Sequence, residues 1–262
     1  MTLTHEIPHG VYPALFAGFG MTTHIWDVIG SILLYKIYKK LLAYFGPQGW
    51  WPIGGVYDPT KKDLSEKEKF EIMVGAILTQ NTAWSNVEKA LSNLRKANCL
   101  KPEKISKIPI RKLQTIIKPS GFYKQKALRI INLVHSIQTV ANFDDLTRDY
   151  LLSLNGIGPE TADSILLYAL SKPYFVSDAY TKRLINRLGV FDGEKYEEIQ
   201  KFFESNIPKE VEIYKEYHAL IVAIAKSFCK KNPECKNCPI ANYCKMAEKK
   251  NEICSGFCNC TK

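Results

Sequence analysis

Four cysteines near the C-terminal end are the residues whose types and spacing most directly suggest chemistry. They follow the pattern C-x5-C-x2-C-x5-C and are Cys229, Cys235, Cys238 and Cys244. Four thiolates around a close central pair can bind a [4Fe–4S] cluster or a structural zinc ion, and the spacing alone slightly favours zinc. The chain has 8 cysteines, and seven of them follow residue 228. This clustering predicts metal ligation rather than a disulfide framework, and it leaves Cys254, Cys258 and Cys260 without an assigned role.

A glycine-rich turn at residues 154–159, Leu-Asn-Gly-Ile-Gly-Pro, is a candidate anion site. Gly156 and Gly158 can adopt positive φ and leave backbone N–H groups uncovered. Pro159 suits the first position of the helix that follows. Exposed amides at a helix N-terminus favour an anion such as a phosphate. On this pattern alone, however, an ordinary connection between two helices with a glycine cap is the favoured interpretation.

Helices must position these residues, because nearly every periodic segment has helical spacing. One apolar stripe consists of Phe70, Met73, Val74, Ile77 and Leu78, and a second of Ala162, Ile165, Leu166, Ala169 and Leu170. Convincing two-residue alternation is missing, so the sequence predicts an all-α fold. An irregular Gly- and Pro-rich segment, 46–60, separates an N-terminal helix at about 24–45 from a run of helices between about 65 and 170. A further loop, 171–178, precedes the final helices.

The overall charge points to a polyanionic partner. The chain has 36 Lys and Arg against 26 Asp and Glu, a formal net charge of +10. Such a balance favours nucleic acid through phosphate neutralisation. Residues 11–35 are too interrupted by polar and helix-breaking residues to predict a membrane span, and no targeting segment stands out. We expect an intracellular protein, with residues 1–20 as an N-terminal extension before an alternative start at Met21.

Four sequence blocks and the cysteines together resemble a known family. The blocks are AILTQNT (76–82), GFYKQKA (121–127), the glycine-rich turn and the segment Val176-Ser-Asp178. In this order they resemble the helix-hairpin-helix (HhH-GPD) superfamily of DNA glycosylases, whose prototype is endonuclease III, over about residues 40–245. The resemblance implies a two-domain, all-α endonuclease III-like fold. A six-helix domain with the hairpin would span 60–170, and a cluster domain would comprise 21–59 and 171–262.

The resemblance also implies an activity, base excision from double-stranded DNA by a monomer. Asp178 occupies the position of the family's catalytic carboxylate, although an aspartate there can equally cap the following helix. Bifunctional members carry a nucleophilic lysine two residues after the second glycine of the turn, where this chain has Glu160. We therefore expect a monofunctional glycosylase that leaves an abasic site, unless Lys172 or Lys182 substitutes for the missing lysine.

Two residues match positions that wedge into the duplex in this superfamily when a base is flipped out. They are Gln80, in Leu-Thr-Gln-Asn-Thr, and Phe122, in Gly-Phe-Tyr. The alternative for Gln80 is a buried amide satisfied by backbone groups. The alternative for Phe122 is an aromatic residue of the core.

The base pocket is predicted from a branch within the superfamily. Trp50-Trp51-Pro52, together with Lys69-Phe70-Glu71 and the segment 160–163, resembles the 3-methyladenine DNA glycosylases. Indole faces attract a cationic alkylated purine by roughly 1–2 kcal/mol, and Glu160 would add complementary charge. We place Trp50, Trp51, Pro52, Phe70 and Glu160 in this pocket. Aromatic residues in a loop can also be a lid on the core, and a mismatch uracil or thymine glycosylase, or a bifunctional endonuclease III-like enzyme, would share the turn and the aspartate.

The resemblance favours a [4Fe–4S] cluster over zinc at the four cysteines, although the first spacing is one residue shorter than is usual in the family. The cluster would hold a loop that presents Lys230, Lys231, Lys236 and Lys245 to the DNA backbone; the alternative is a solvated basic face. A non-catalytic helix-hairpin-helix DNA-binding module and an iron–sulfur electron-transfer protein are the rival functions. The first would not need Asp178, and the second would not need the long helical body.

Overall fold

The structure, a computed structural model, describes residues 23–248, and the predicted extension and the three C-terminal cysteines lie outside this range. The described residues are helical, and their only strand-like pairing is one bridge between Ile53 and Val56. The prediction of an all-α fold is therefore confirmed. The helices are α1 Thr23–Phe45, α2 Glu66–Leu78, α3 Trp84–Lys96, α4 Pro102–Ile105, α5 Ile110–Ile116, α6 Tyr123–Ile137, α7 Arg148–Ser153, α8 Pro159–Ser164, α9 Ala179–Leu188, α10 Tyr196–Asn206 and α11 Val211–Ser227.

The chain divides into two compact units. The central unit contains Gln48–Val176, with α2 to α8, and the short segment Glu210–Glu216. The terminal unit contains α1, the segment Ser177–Lys209 with α9 and α10, and the chain from Tyr217 onward. Residues 48–59 and 171–176, which the sequence analysis assigned to the cluster domain, lie in the central unit.

Helix α2 forms the middle of the central unit. It begins with a capping interaction, in which Glu68 Oε2 accepts hydrogen bonds from the backbone N–H and the hydroxyl of Ser65 at 2.8 and 2.7 Å. Every residue from Phe70 to Leu78 is buried. The predicted apolar stripe therefore lies in a segment of α2, Phe70–Leu78, that is buried on every face. At Gly75 the indole of Trp51 lies so close that an added Cβ would be 2.8 Å from its ring.

The second predicted stripe is not one regular helix. Helix α8 ends at Ser164 and continues as a π-helical turn, Ile165–Ala169, whose five residues are all buried. π-turns inside α-helices are uncommon and occur often at functional sites. Tyr168, in this turn, donates a hydrogen bond to the carbonyl of Lys215 at 3.2 Å.

The terminal unit packs around α1 and α11. Leu34, Ile37 and Leu41 of α1 are fully buried, and the hydroxyl of Tyr217 donates to the carbonyl of Leu34 at 2.9 Å. The ring of Tyr217 also meets Phe203 of α10 edge-on, with centroids 5.7 Å apart. Between residues 23 and 248, none of the helices has the length and apolar character needed to cross a membrane.

Candidate functional site

Asp178 is the N-cap of α9, at the end of the loop predicted before it. Its Oδ1 accepts hydrogen bonds from the backbone N–H and the hydroxyl of Thr181, at 2.8 and 3.0 Å. Its Oδ2 lies 3.6 Å from Nε2 of His218 on α11. The aspartate therefore has the helix-capping role that the sequence analysis gave as an alternative, and a second oxygen that faces a histidine.

The surroundings of Asp178 keep its carboxyl group ionised. Burial raises its pKa, but the hydrogen bond and charge of His218 and the hydrogen bonds from Thr181 lower it, and the net pKa lies below the ordinary value. Only 14% of the side chain is exposed. A fixed, mostly buried carboxylate of this kind can stabilise a developing positive charge.

The glycine-rich turn joins α7 and α8 in the central unit. Gly156 has φ +85°, and an added Cβ would overlap the side chain of Arg129. Gly158 has φ −93° and ψ 178°, so of the two glycines only Gly156 uses the positive φ that both could adopt. An extended residue is what a helix N-cap requires, and Gly158 occupies that position. Pro159 begins α8 as predicted.

Gln80 is held against this turn. Its Nε2 donates to the carbonyl of Gly156 and to Thr161 Oγ1, both at 3.0 Å, and its Oε1 accepts from Arg129. The alternative for Gln80 is a buried amide satisfied by backbone groups, and the amide has one backbone partner, Gly156, and two side-chain partners. The side chain is half-buried, and it connects the end of α2 to the glycine-rich turn.

Phe122 is not a core aromatic. It has 62% of its surface exposed and φ +45°, an uncommon conformation for a bulky residue. It forms the N-cap of α6 directly after Gly121, which has φ +67°. The exposed ring is available for a wedge.

Trp50 and Trp51 belong to an aromatic cluster. The ring of Trp84 on α3 lies 4.5 Å from Trp50 and 5.3 Å from Trp51, and Tyr168 lies 5.6 Å from Trp51, between centroids. The adjoining turn is anchored by Glu71, whose Oε1 accepts from the backbone of Gly54 at 2.9 Å. The two indoles are half-buried.

A cavity of the central unit adjoins this cluster. It is lined by both tryptophans, by Tyr168 and by charged residues, namely Asp58, Lys61, Lys62, Glu212, Lys215 and Glu216. Of the predicted pocket residues, Trp50 and Trp51 line it, whereas Pro52 and Phe70 are buried in the packing and Glu160 is exposed elsewhere. The carboxylates that line the cavity with the indoles are therefore Asp58, Glu212 and Glu216 rather than Glu160.

Glu216 was not found by sequence reasoning, since it is one of several charges on an amphipathic helix. Its Oε1 accepts the backbone N–H of Gln48 at 2.8 Å. Burial raises its pKa, the hydrogen bond from Gln48 lowers it, the charge of Glu212 raises it again, and the net shift is upward. His218 also gave no sequence signal, because a single histidine on an apolar helix is more often part of the core.

The four cysteines line one narrow cavity of the terminal unit. Burial raises the pKa of Cys238 to about 11; a hydrogen bond from the backbone of Ile240 lowers it, and the thiols of Cys244, Cys229 and Cys235 add to the rise. Arg187 of α9 donates to Cys229 Sγ at 3.3 Å. Within the part of the chain that the structure describes, no three His, Cys, Asp or Glu side chains are grouped closely enough to hold a single metal ion.

Comparison with known proteins identifies the class. Residues 74–209 match the HhH-GPD superfamily of base excision DNA repair proteins. The chain is 48% identical over 223 residues to a Methanocaldococcus jannaschii protein provisionally named a DNA repair glycosylase, covering 81% of this chain and 96% of that protein. The chain belongs to the HhH-GPD superfamily, and it is a DNA glycosylase.

Two solved structures are similar to this one. The 3-methyladenine DNA glycosylase of H. pylori, solved bound to 1,N6-ethenoadenine, is 34% identical with a TM-score of 0.63, covering 76% of this chain and 97% of that one. An endonuclease III in a non-covalent complex with DNA is 22% identical with a TM-score of 0.69, covering 85% and 98% of the two chains. The second likeness shows the endonuclease III-like fold.

Proposed function

We propose that this DNA glycosylase is monofunctional: it flips a damaged base, an alkylated purine by preference, out of double-stranded DNA and hydrolyses its bond to the sugar. The product is an abasic site. The observation that carries the proposal is the ionised, mostly buried carboxylate of Asp178 at the N-cap of α9.

Asp178 supplies the charge that the reaction needs. Breaking the bond between base and sugar builds positive charge on the sugar, as in glycoside hydrolysis. A carboxylate held by Thr181 stabilises that charge and can orient or deprotonate the attacking water. Because its pKa is below the ordinary value, it is ionised at neutral pH.

The residue at position 160 and the contacts of Lys172 and Lys182 support hydrolysis without strand cleavage. A lyase step needs an amine that attacks the sugar, and a carboxylate at Glu160 cannot form an imine. The amine of Lys172 donates to the carbonyls of Asp144 and Leu146, both at 2.7 Å. The amine of Lys182 donates to the carbonyl of Glu194 at 2.9 Å and pairs with its carboxylate. Both candidate substitutes thus have structural partners.

The cavity beside Trp50 and Trp51 supports the preference for alkylated purines. Electron-poor rings stack well on indoles, and both tryptophans line the cavity. The acidic residues of its lining are balanced by Lys61, Lys62 and Lys215, so the support comes from the indoles rather than from the net charge. The H. pylori protein, similar at 34% identity, is a 3-methyladenine DNA glycosylase. An uncharged uracil or thymine lacks the cation–π attraction to the indoles, so the same cavity would hold it less tightly.

DNA binding follows from three features of the central unit and from the charge of the chain. The turn at Gly156 and Gly158 presents backbone amides to a phosphate, and Phe122 would fill the space left by the flipped base. Gln80 holds the turn in place rather than entering the duplex on its own. The net charge of +10 favours phosphate contacts in general.

The chemistry of the four cysteines suits a [4Fe–4S] cluster, because the four thiols line one cavity and an arginine N–H points at one sulfur. Cys229, Cys235, Cys238 and Cys244 would hold it. Such a cluster ties together the loop that carries the exposed Lys230, Lys231 and Lys236. A brown protein that absorbs near ~400 nm and contains iron would support the assignment; a colourless protein with zinc would overturn it.

Release of bases from a panel of defined duplexes tests the function. The panel holds 3-methyladenine, 1,N6-ethenoadenine, a G·U mismatch, a G·T mismatch and an oxidised pyrimidine. We expect release of the alkylated purines by the wild-type chain and no detectable turnover by Asp178→Asn, which keeps a helix-capping side chain. The exposed Asp192→Asn serves as the control. Near-wild-type turnover by Asp178→Asn would contradict the catalytic role of Asp178. Preferential release of uracil or thymine from the mismatches would contradict the preference for alkylated purines.

A further inference from the structure

A buried lysine joins two loops of the central unit. Lys126 on α6 has no exposed surface, and its ammonium donates to the carbonyl of Leu78 at 2.9 Å and to that of Ser120 at 2.7 Å. Leu78 is the last residue of α2, directly before Thr79–Thr82, here named the Gln80 loop. Ser120 precedes Gly121 and Phe122 and, with them, forms the Phe122 loop.

The Phe122 loop contains a residue in an unfavourable conformation. Phe122 has φ +45°, which a bulky side chain rarely adopts. Such a conformation persists only where the surroundings enforce it. Asn81 of the Gln80 loop has φ +51°, which asparagine adopts more readily. The ammonium supplies two charge-assisted hydrogen bonds, one at the base of each loop.

The connection continues to the glycine-rich turn. Gln80 binds the carbonyl of Gly156 and Thr161, and Arg129, one turn after Lys126 on α6, binds Gln80. The hydrogen bonds of Lys126 and of Gln80, together with the short backbone segments 78–80 and 120–122, therefore link Phe122 to the turn. The turn and the ring are the two features that the proposed function places on DNA.

We propose that Lys126 is a positioning residue for base flipping: its two hydrogen bonds fix the Phe122 loop relative to the Gln80 loop and the glycine-rich turn. The ring of Phe122 then enters the duplex at a fixed distance from the phosphate that the glycine-rich turn binds. Lys126 does not contact the base. This inference rests on the proposed function, because it takes Phe122 as the wedge.

Full burial makes the charged form of the Lys126 side chain less favourable than it is in water. Burial, and next the charge of Arg129, lower the pKa of Lys126 to about 8. An uncharged isostere such as methionine would fill the same volume, but it would leave the carbonyls of Leu78 and Ser120 without this donor. The loops would then lose their common anchor while the core stayed filled.

Fluorescence of 2-aminopurine measures wedge insertion without any need for a lesion. The probe is a duplex with a tetrahydrofuran abasic-site analogue and 2-aminopurine at the neighbouring position, which brightens when a side chain unstacks it. We compare the wild-type chain with Lys126→Met, Phe122→Ala and, as a matched control on the exposed face of α3, Lys89→Met. Melting curves establish that each variant is folded.

We expect Lys126→Met to bind this duplex within about threefold of wild type but to lose at least half of the fluorescence rise, as Phe122→Ala does. Lys89→Met keeps the full rise. The proposal would be overturned if Lys126→Met gave the full fluorescence rise. It would also be overturned if the fluorescence rise decreased only in proportion to a loss of affinity for the duplex. A residue that merely supports the fold would change binding and insertion together.

A measurement on the wild-type chain covers the case in which Lys126→Met does not fold. As the pH rises through about 8 the ammonium of Lys126 becomes an amine, whose hydrogen bonds to the same carbonyls are weaker, so the fluorescence rise at saturating protein should decline around pH 8. A rise that is constant from pH 7 to 9 contradicts the proposal. If the wild-type chain releases no base from any duplex of the panel, the proposed function fails, whereas the fluorescence test still decides the role of Lys126.

Discussion

Oδ2 of Asp178 lies 3.6 Å from Nε2 of His218, while Oδ1 is bound by Thr181. One oxygen of the carboxylate thus serves the helix cap, and the other meets a histidine that is 8% exposed. Because burial alone would raise the pKa of Asp178, the histidine and the cap together determine that the group is ionised. The effects of His218 and of the helix cap on the pKa of Asp178 can therefore be measured separately by mutation.

Replacement of His218 by glutamine should raise the pKa of Asp178. Glutamine can still donate a hydrogen bond but carries no charge, so the substitution removes the charge that opposes burial, and the acid limb of the pH–rate profile should move to higher pH. The depressed pKa also contributes stability that is present above the ordinary value near 4 and lost as the pH falls through the folded value. His218→Gln should therefore be less stable than wild type at neutral pH, as measured by thermal melting.

The exposed His135→Gln is the control for this pair of measurements, and it should leave both the profile and the melting temperature unchanged. An acid limb that stays in place in His218→Gln would show that the histidine does not act on Asp178.

Borohydride trapping tests the role of Glu160. The wild-type chain should form no covalent adduct with damaged DNA, because it lacks an amine at this position. Glu160→Lys introduces one on the exposed face of α8, in the second position of the helix, and it should yield an adduct that is retained on a denaturing gel. Efficient trapping by the wild-type chain would contradict the monofunctional assignment, and the double variant Glu160→Lys, Asp178→Asn controls for nonspecific adducts.

The helical character of the segments and the loop before α9 could be predicted from sequence, because hydrophobic periodicity, capping residues and glycine positions are local signals. The cap at Asp178 is an example, since it needs only Thr181 three residues later. Lys126, Glu216 and His218 could not be found in this way. Their importance depends on partners 40 to 168 residues distant, such as Leu78, Gln48 and Asp178, which only the fold brings near.

The predicted pocket shows the same limit. Trp50 and Trp51 line the cavity, but the carboxylates that line it with them are Asp58, Glu212 and Glu216 rather than Glu160. Similarly, Asp163, in the same segment as Glu160, has a structural partner. It is a fully buried group whose two oxygens accept from Arg148 at 2.7 and 3.1 Å.

Removal of one partner of the Asp163–Arg148 pair should strongly destabilise the chain. Arg148→Met leaves the buried carboxylate without its cation, which costs about 3–5 kcal/mol in comparable pairs. Denaturant unfolding measures the change in free energy. Lys195→Met disrupts an exposed pair with Glu198 at 3.5 Å and should change the stability by less than about 1 kcal/mol. Equal effects of the two substitutions would show that the buried pair is not a stabilising element.

The two glycines of the turn should respond differently to alanine. Gly156→Ala places a methyl group against Arg129 and requires positive φ of a residue with a side chain, which costs about 1–2 kcal/mol before the overlap is counted. It should lower the melting temperature by several degrees. At Gly158, φ is −93° and no atom lies within 4 Å of an added Cβ, so Gly158→Ala should melt within about a degree of wild type.

Binding of undamaged duplex separates the roles of these glycines. If a phosphate approaches the amides at the start of α8, the methyl group of Gly158→Ala lies in its path, and the affinity should fall about tenfold without loss of stability. Gly121→Ala is the comparison, because its Cβ also meets no atom within 4 Å but its positive φ adds strain; it should lose stability. Unchanged affinity of Gly158→Ala would mean that the strand is gripped elsewhere, since the open space beside this glycine would then serve no ligand.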